Sequence, residues 1–216
     1  MNKQNIKHHL PDEVLGAYSA GSLPEAYALV VATHVSLCDD CRAALDSFDA
    51  IGGAILEDQS LEEVTDAALA ATLALIADAP VAEPVRRQSS SIFPAPLADY
   101  IGGGPESVQW RNVGGGVRQA VLKTSNEATA RLLYIPAGKK VPDHGHKGLE
   151  LTMVLQGAFS DQVSRFGRGD VEIANEDLHH DPVAEMGEDC ICLAATDAPL
   201  VFKDLIPRLA QPFIRI

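Results

Sequence analysis

The chain has 216 residues, 46% of them hydrophobic, with 17 Lys and Arg against 30 Asp and Glu, a formal charge of −13. Nearly all of that charge sits in residues 1–85, which hold three basic residues (Lys3, Lys7, Arg42) against 14 acidic ones; residues 86–216 hold 14 against 16. Phosphate neutralisation needs Lys and Arg, so the first segment is a poor nucleic-acid binder; such an acidic face is either plain solvated surface or a surface for a basic protein. No apolar run reaches 18 residues, which argues against a transmembrane helix, and the start MNKQNIKHHLPDE lacks the apolar core of a signal peptide, so a cytoplasmic protein is expected.

A first helix is expected over 11–20, with Pro11 at its start and Asp12 and Glu13 in its first turn, favourable for the helix dipole. A second, over 24–36, carries Ala26, Leu29, Val30 and Thr33 at helical spacing, followed by Leu37. Asp39 or Asp40 caps a third that runs to about Glu57, with Ala44, Leu45, Phe48 and Ile51 on one face and Gly52-Gly53 as a weak point. A fourth, from about Leu61 to Ala79, is expected to bury Val64, Leu69, Leu73 and Ile76. Its apolar stripe is wide, so it packs on the other helices or docks on a partner. Residues 80–96, with four prolines, Arg86-Arg87 and three serines, have linker composition. The expected division is 1–85, a linker over 86–96, and 97–216. Beyond it, VQWRNV, VRQAVL, ARLLYIPAG, LELTMVLQG, VEIA, CICLAAT and LVFKDL alternate with glycine-rich turns, as strands of a sandwich or barrel such as the jelly roll do.

Two sets of metal-ligand residues stand out. The first is His34-x3-Cys38-x2-Cys41, with His8 and His9 upstream. Structural zinc takes four tetrahedral Cys and His ligands. Cys38 and Cys41 lie at a turn between helices, and His34 is one turn earlier on the same face. The fourth ligand is His9 or His8. In a reducing compartment a Cys-x2-Cys pair reads as a metal or redox site rather than a disulfide. An ion here would staple three helices with little core of their own.

This HxxxCxxC pattern resembles the zinc-binding anti-sigma domain, and HHLPDEVLGAYSAGSLPEAYALVVATHVSLCDDCRA closely resembles the start of the ChrR-type anti-sigma factors, with similarity running through to the ending QPFIRI. The resemblance implies that His9 is the fourth ligand. It also implies that the partner is an extracytoplasmic-function sigma factor held 1:1, and that the inducing signal is singlet oxygen or related oxidative stress.

The second set is Gly138-x5-His144-x-His146-x3-Glu150-x6-Gly157, which fits the first cupin motif at every fixed position. Residues two apart on a strand share a face, so His144 and His146 point to one side, and Glu150 returns to the same pocket after a turn. The second cupin motif maps onto Gly169-Asp170 through His180, with its Pro and Gly replaced by Asn175 and Asp177; His180 is preferred over the adjacent His179. Zinc, iron, manganese and nickel all use such ligands, and the resemblance favours zinc. Trp110 is expected in the core, Met153 in the core or lining the pocket. Cys190 and Cys192, alternate on one strand, are small core residues or a redox pair.

The expected fold class is therefore multi-domain α plus β: a small zinc-binding helical bundle followed by a cupin, a jelly-roll β-barrel. The leading expectation is a non-enzymatic anti-sigma factor with the cupin as sensor. The alternative is a metal-dependent cupin enzyme, a dioxygenase or isomerase, with an open coordination position to activate water or dioxygen.

Overall fold

The computed structural model describes residues 6–80, 92–176, 178–199 and 201–202. Asp177, Arg86-Arg87 and the ending QPFIRI lie outside the described residues.

Helices α1 (Asp12–Ser19), α2 (Glu25–Val35) and α3 (Asp39–Glu57) come first, α1 and α2 each following a proline N-cap and α3 the N-cap Cys38. The Phe48 ring packs against α1 at Gly16, where a Cβ would stand 3.6 Å from it, an ordinary contact. Helix α3 runs through Gly52-Gly53 without a break, but its second half leaves the bundle, and Ile51, Ile55 and Leu56 are exposed. Helix α4 (Asp66–Asp78) starts later than the periodicity predicts, because Thr65 is its N-cap and its hydroxyl accepts the Ala68 N–H. None of its residues is buried. Val64, Leu69, Leu73 and Ile76, expected inside, are 54–72% exposed. The stripe is real, but nothing in the described chain covers it.

From Arg111 onward the described chain forms strands, and every pairing among them is antiparallel. One sheet has six strands in the order β1 (Arg111–Gly114), β2 (Val117–Val121), β3 (Thr129–Ile135), β11 (Cys190–Thr196), β5 (Glu150–Gln156) and β8 (Val171–Ala174). Opposite it are two three-stranded sheets. One orders β10 (Val183–Ala184), β6 (Ala158–Ser160) and β7 (Arg165–Gly167); the other orders β12 (Val201–Phe202), β4 (His144–Gly145) and β9 (His179–His180). This is the expected α plus β arrangement with a cupin barrel.

The two halves share a core. Helix α2 and a fifth helix, α5 (Ala95–Ile101), cover the outer face of the six-stranded sheet. There Leu151, Met153, Leu155, Val171, Ile191, Leu193 and Ala195 join Leu29, Val30, Val31, Phe93 and Leu97 in one buried cluster. The inner face carries Val154, Cys190 and Cys192 with Phe159 and Phe166. Strands buried on both faces need apolar residues at every position, which is why CICLAAT and LTMVL are almost unbroken apolar runs. Met153 thus packs under the helices, not into the pocket. Cys190 and Cys192 are buried small residues, their sulfurs 3.6 Å apart. Of the segment expected as a linker, the described residues from Ile92 onward are packed: Phe93 is only 1% exposed, and Pro94 and Pro96 open α5.

Leu193 is fully buried in this shared cluster. Leu193→Ala is expected to cost about 2–5 kcal/mol, read as a lower urea midpoint of the whole chain with a single transition. Two transitions, with the helices unaffected, would contradict a shared core.

Candidate metal centres

The helical centre forms where α2 ends and α3 begins. His34 is on the last turn of α2, Cys38 is the N-cap of α3 and Cys41 lies in its first turn. His9 approaches from the extended segment before α1, its Nδ1 standing 3.2 Å from Cys38 Sγ and 3.6 Å from Cys41 Sγ. One ligand atom from each of the four residues falls within 4.8 Å of all the others. Metal bonds of ~2.3 Å to sulfur and ~2.05 Å to nitrogen set a tetrahedral N–S edge of about 3.6 Å, so the thiol-to-imidazole distances suit one ion. His8 points elsewhere: its Nε2 meets Ser164 Oγ at 2.8 Å and its ring lies on Phe166. Of the two candidates left open by spacing, His9 is the one in place.

His34 is built as a ligand. Its Nδ1 faces the Gly169 carbonyl at 2.8 Å, and a carbonyl only accepts, so Nδ1 carries the proton and Nε2 a lone pair. That Nε2 is buried without a hydrogen-bond partner. Burial pushes the His34 pKa down to about 4, which keeps the ring neutral at physiological pH. Burial also raises the Cys41 thiol to about 11, with Cys38 beside it adding to the shift. A buried lone pair against buried thiols is a poor arrangement unless a cation converts the thiols to thiolates, and the N-terminus of α3 favours that charge. The donor set fits a metal.

The barrel centre gathers His144, His146 and His180. His180 Nε2 is 3.1 Å from His144 Nε2 and 3.3 Å from His146 Nε2. Strands β4 and β9 bring His144 and His180 opposite each other. A Cβ on Gly145 would stand 2.3 Å from the ring of exposed His179, so a larger residue between the two motif histidines requires that ring to move. His179 itself is exposed and turned away. In the second motif the Leu178 N–H donates to the Asn175 carbonyl at 3.1 Å. His144 Nδ1 donates to the Pro142 carbonyl at 2.8 Å, which leaves its Nε2 as a lone pair. His146 Nδ1 is buried without a hydrogen bond, and Glu150 Oε2 lies 3.6 Å from it. Glu150 is buried beside the trio, its other oxygen accepting from Thr152 Oγ1 at 2.9 Å. All four expected barrel residues are together, although the tightest cluster is the three imidazoles.

Two residues in this site carry no signal in the cupin motifs. Glu172 Oε1 lies 3.0 Å from His180 Nδ1, and buried Asp161 Oδ2 lies 3.5 Å from the same nitrogen. Burial lowers the pKa of His144, and pushes that of His146 down to about 4. Burial also pulls on His180, but the hydrogen bond and charge of Glu172 outweigh it and the net shift is upward. Burial raises Glu172. The Nε2 atoms of His144 and His146 both face His180 Nε2, an arrangement that a shared divalent cation would satisfy. A carboxylate behind a metal-bound histidine fixes its tautomer, and removing such a partner typically costs 10–100-fold in affinity. Glu172→Gln, which keeps an acceptor but loses the charge, is expected to weaken barrel metal binding by about 10-fold or more, measured by competition with a chromophoric chelator. Unchanged affinity would show that His180 needs no such support.

Residues 101–199 match the family described as the ChrR Cupin-like domain. The chain is 56% identical over 212 residues to the anti-sigma-E factor ChrR of Cereibacter sphaeroides, covering 98% of this chain and 99% of that one. The chain belongs to the ChrR family of anti-sigma factors. Such proteins are regulators rather than enzymes, so the catalytic reading of the barrel is not favoured. A crystal structure of Rhodobacter sphaeroides SigE in complex with the anti-sigma ChrR is also similar, at 55% identity and a TM-score of 0.79, covering 89% of this chain and all of that one. No helix among the described residues is long and apolar enough to cross a membrane.

Proposed function

We propose that this chain is a cytoplasmic anti-sigma factor that sequesters an extracytoplasmic-function sigma factor in a 1:1 complex. Residues 1–85 form the clamp and 97–216 the sensor. Zinc is held by His9, His34, Cys38 and Cys41, and a second zinc or other divalent ion by His144, His146, Glu150 and His180. The observation that carries the reading is the uncovered apolar surface of α4 and the end of α3. Leu56, Leu61, Leu69, Leu73, Leu75 and Ile76 are all more than half exposed, on a segment interleaved with acidic residues. Large apolar patches rimmed with charge mark protein interfaces, and the acidic rim suits a basic partner. The relative solved with SigE supports the choice of partner.

In this reading the barrel relays singlet oxygen or related oxidative stress. Moving the complex from 99% bound to 1% requires a differential free energy of about 5.5 kcal/mol between signalled and unsignalled states. Co-expression of the tagged full chain with each alternative sigma factor of the host is the test. One sigma factor should co-purify in equal amount; retention of none overturns the proposal.

A further inference from the structure

We propose that Asp170 and Glu172, two residues apart where β8 begins, couple the two metal centres, so that an ion in the barrel strengthens ion binding in the helical centre and the reverse. The inference rests on both centres taking metal and not on the sigma partner.

The helical centre is not self-contained. Asp170 is buried, and its Oδ1 accepts the Lys7 N–H at 2.6 Å and the His8 N–H at 2.9 Å, while Oδ2 accepts the Gly167 N–H at 2.8 Å. The Val171 N–H donates to the His8 carbonyl at 3.2 Å. The backbone that delivers His9 is therefore fixed on the barrel, one residue before the ligand. His34, the other imidazole of the helical centre, donates its Nδ1–H to Gly169. Residues 169–171 of the barrel thus set the placement of two of the four helical ligands, which come from separate parts of the helical module.

The same strand reaches the other centre. Glu172 follows Val171 and points to the opposite face, where it meets His180 Nδ1. Little slack lies between the two sets of bonds. Met153 pairs with Val171 and Thr152 with Glu172, and Val154 exchanges backbone hydrogen bonds with Gly169 and Asp170. Val171 itself is packed in the core shared with the helices. An ion on His180 strengthens the hydrogen bond from its Nδ1–H to Glu172, and any shift of the Glu172 backbone is carried to Gly169 and Asp170. Neither the Gly169 carbonyl nor the Asp170 carboxylate is needed for thiolate coordination as such. Their use makes the helical ligands depend on the barrel. Linkage requires the dependence to be mutual and equal in size.

The experiment uses the full chain with zinc as the probe, titrated against a chromophoric chelator, in the wild type, in His144→Ala, in Cys38→Ala/Cys41→Ala and in each combined with Asp170→Asn. Zinc affinity at the helical centre should fall at least about fivefold in His144→Ala, within the range of known couplings, and barrel affinity should fall by the same factor when the cysteines are removed. Asp170→Asn should bring both factors close to one while both centres still bind. Glu172→Gln, a milder change, should reduce the factor as well and serves where Asp170→Asn fails to fold. In addition, amide exchange at Lys7, His8 and Val171 should quicken in His144→Ala with the helical centre still loaded. Fewer than two zinc ions per wild-type chain overturns the metal assignments and this coupling together. Two ions with a factor of one, or a factor that Asp170→Asn and Glu172→Gln leave unchanged, overturns the coupling alone: the bonds are then only mortar between the two halves.

Discussion

Leu69→Asp combined with Leu73→Asp on α4 is expected to abolish capture of a sigma factor while leaving the free chain as stable as before. The two halves of this expectation come from one fact. Both side chains are more than half exposed and α4 buries nothing in the described chain, so the substitutions remove no packing, and exposed changes usually fall within about 0.5 kcal/mol. In a complex these leucines would be covered, and two carboxylates in a desolvated apolar contact cost far more. Hot-spot truncations alone reach about 2 kcal/mol or more each, so a loss beyond about 100-fold in affinity is expected. Thermal melts of the free chain and titration calorimetry with the sigma factor measure the two halves. A large drop in melting temperature would mean that α4 packs on its own chain; full retained affinity would mean that the interface lies elsewhere.

Cys38→Ala with Cys41→Ala should be as damaging to binding, but through folding. The helical centre joins the segment before α1, the end of α2 and the start of α3. A structural zinc site contributes about 10–16 kcal/mol of apparent binding free energy near pH 7. Its loss leaves α1 and α3 with few buried contacts, since Cys41 is the only fully buried residue of α3 and Leu15 of α1. Helix α2, pinned under the sheet, should persist. We expect one zinc ion fewer per chain, reduced helical circular dichroism and no sigma capture, with the barrel still folded. Retained capture by the zinc-free variant would show that the ion is not what orders the clamp.

The ligand residues were legible because coordination imposes spacing. A turn between helices places His34, Cys38 and Cys41 together, and the period of a strand does the same for His144 and His146. Glu172 and Asp161 were not legible, because a carboxylate that supports His180 can come from any neighbouring strand and obeys no fixed interval. The wide stripe of α4 fits either packing on the other helices or docking on a partner; periodicity shows that a face is apolar but not which of the two covers it. Residues 92–96 read as linker because proline is ambiguous: Pro94 and Pro96 open α5 rather than extend a spacer, and buried Phe93 was the contrary signal. The docking of α2 on the barrel had its trace in CICLAAT and LTMVL, apolar on both faces, which only a sheet covered on both sides requires.

The most direct test of sequestration is a competition for core RNA polymerase. The purified full chain, loaded with zinc, is mixed with its sigma factor and increasing core enzyme, and the sigma factor is followed by native mass spectrometry. A 1:1 complex of chain and sigma factor that excludes core enzyme is expected. A ternary assembly in which core enzyme, sigma factor and this chain are bound together would contradict it.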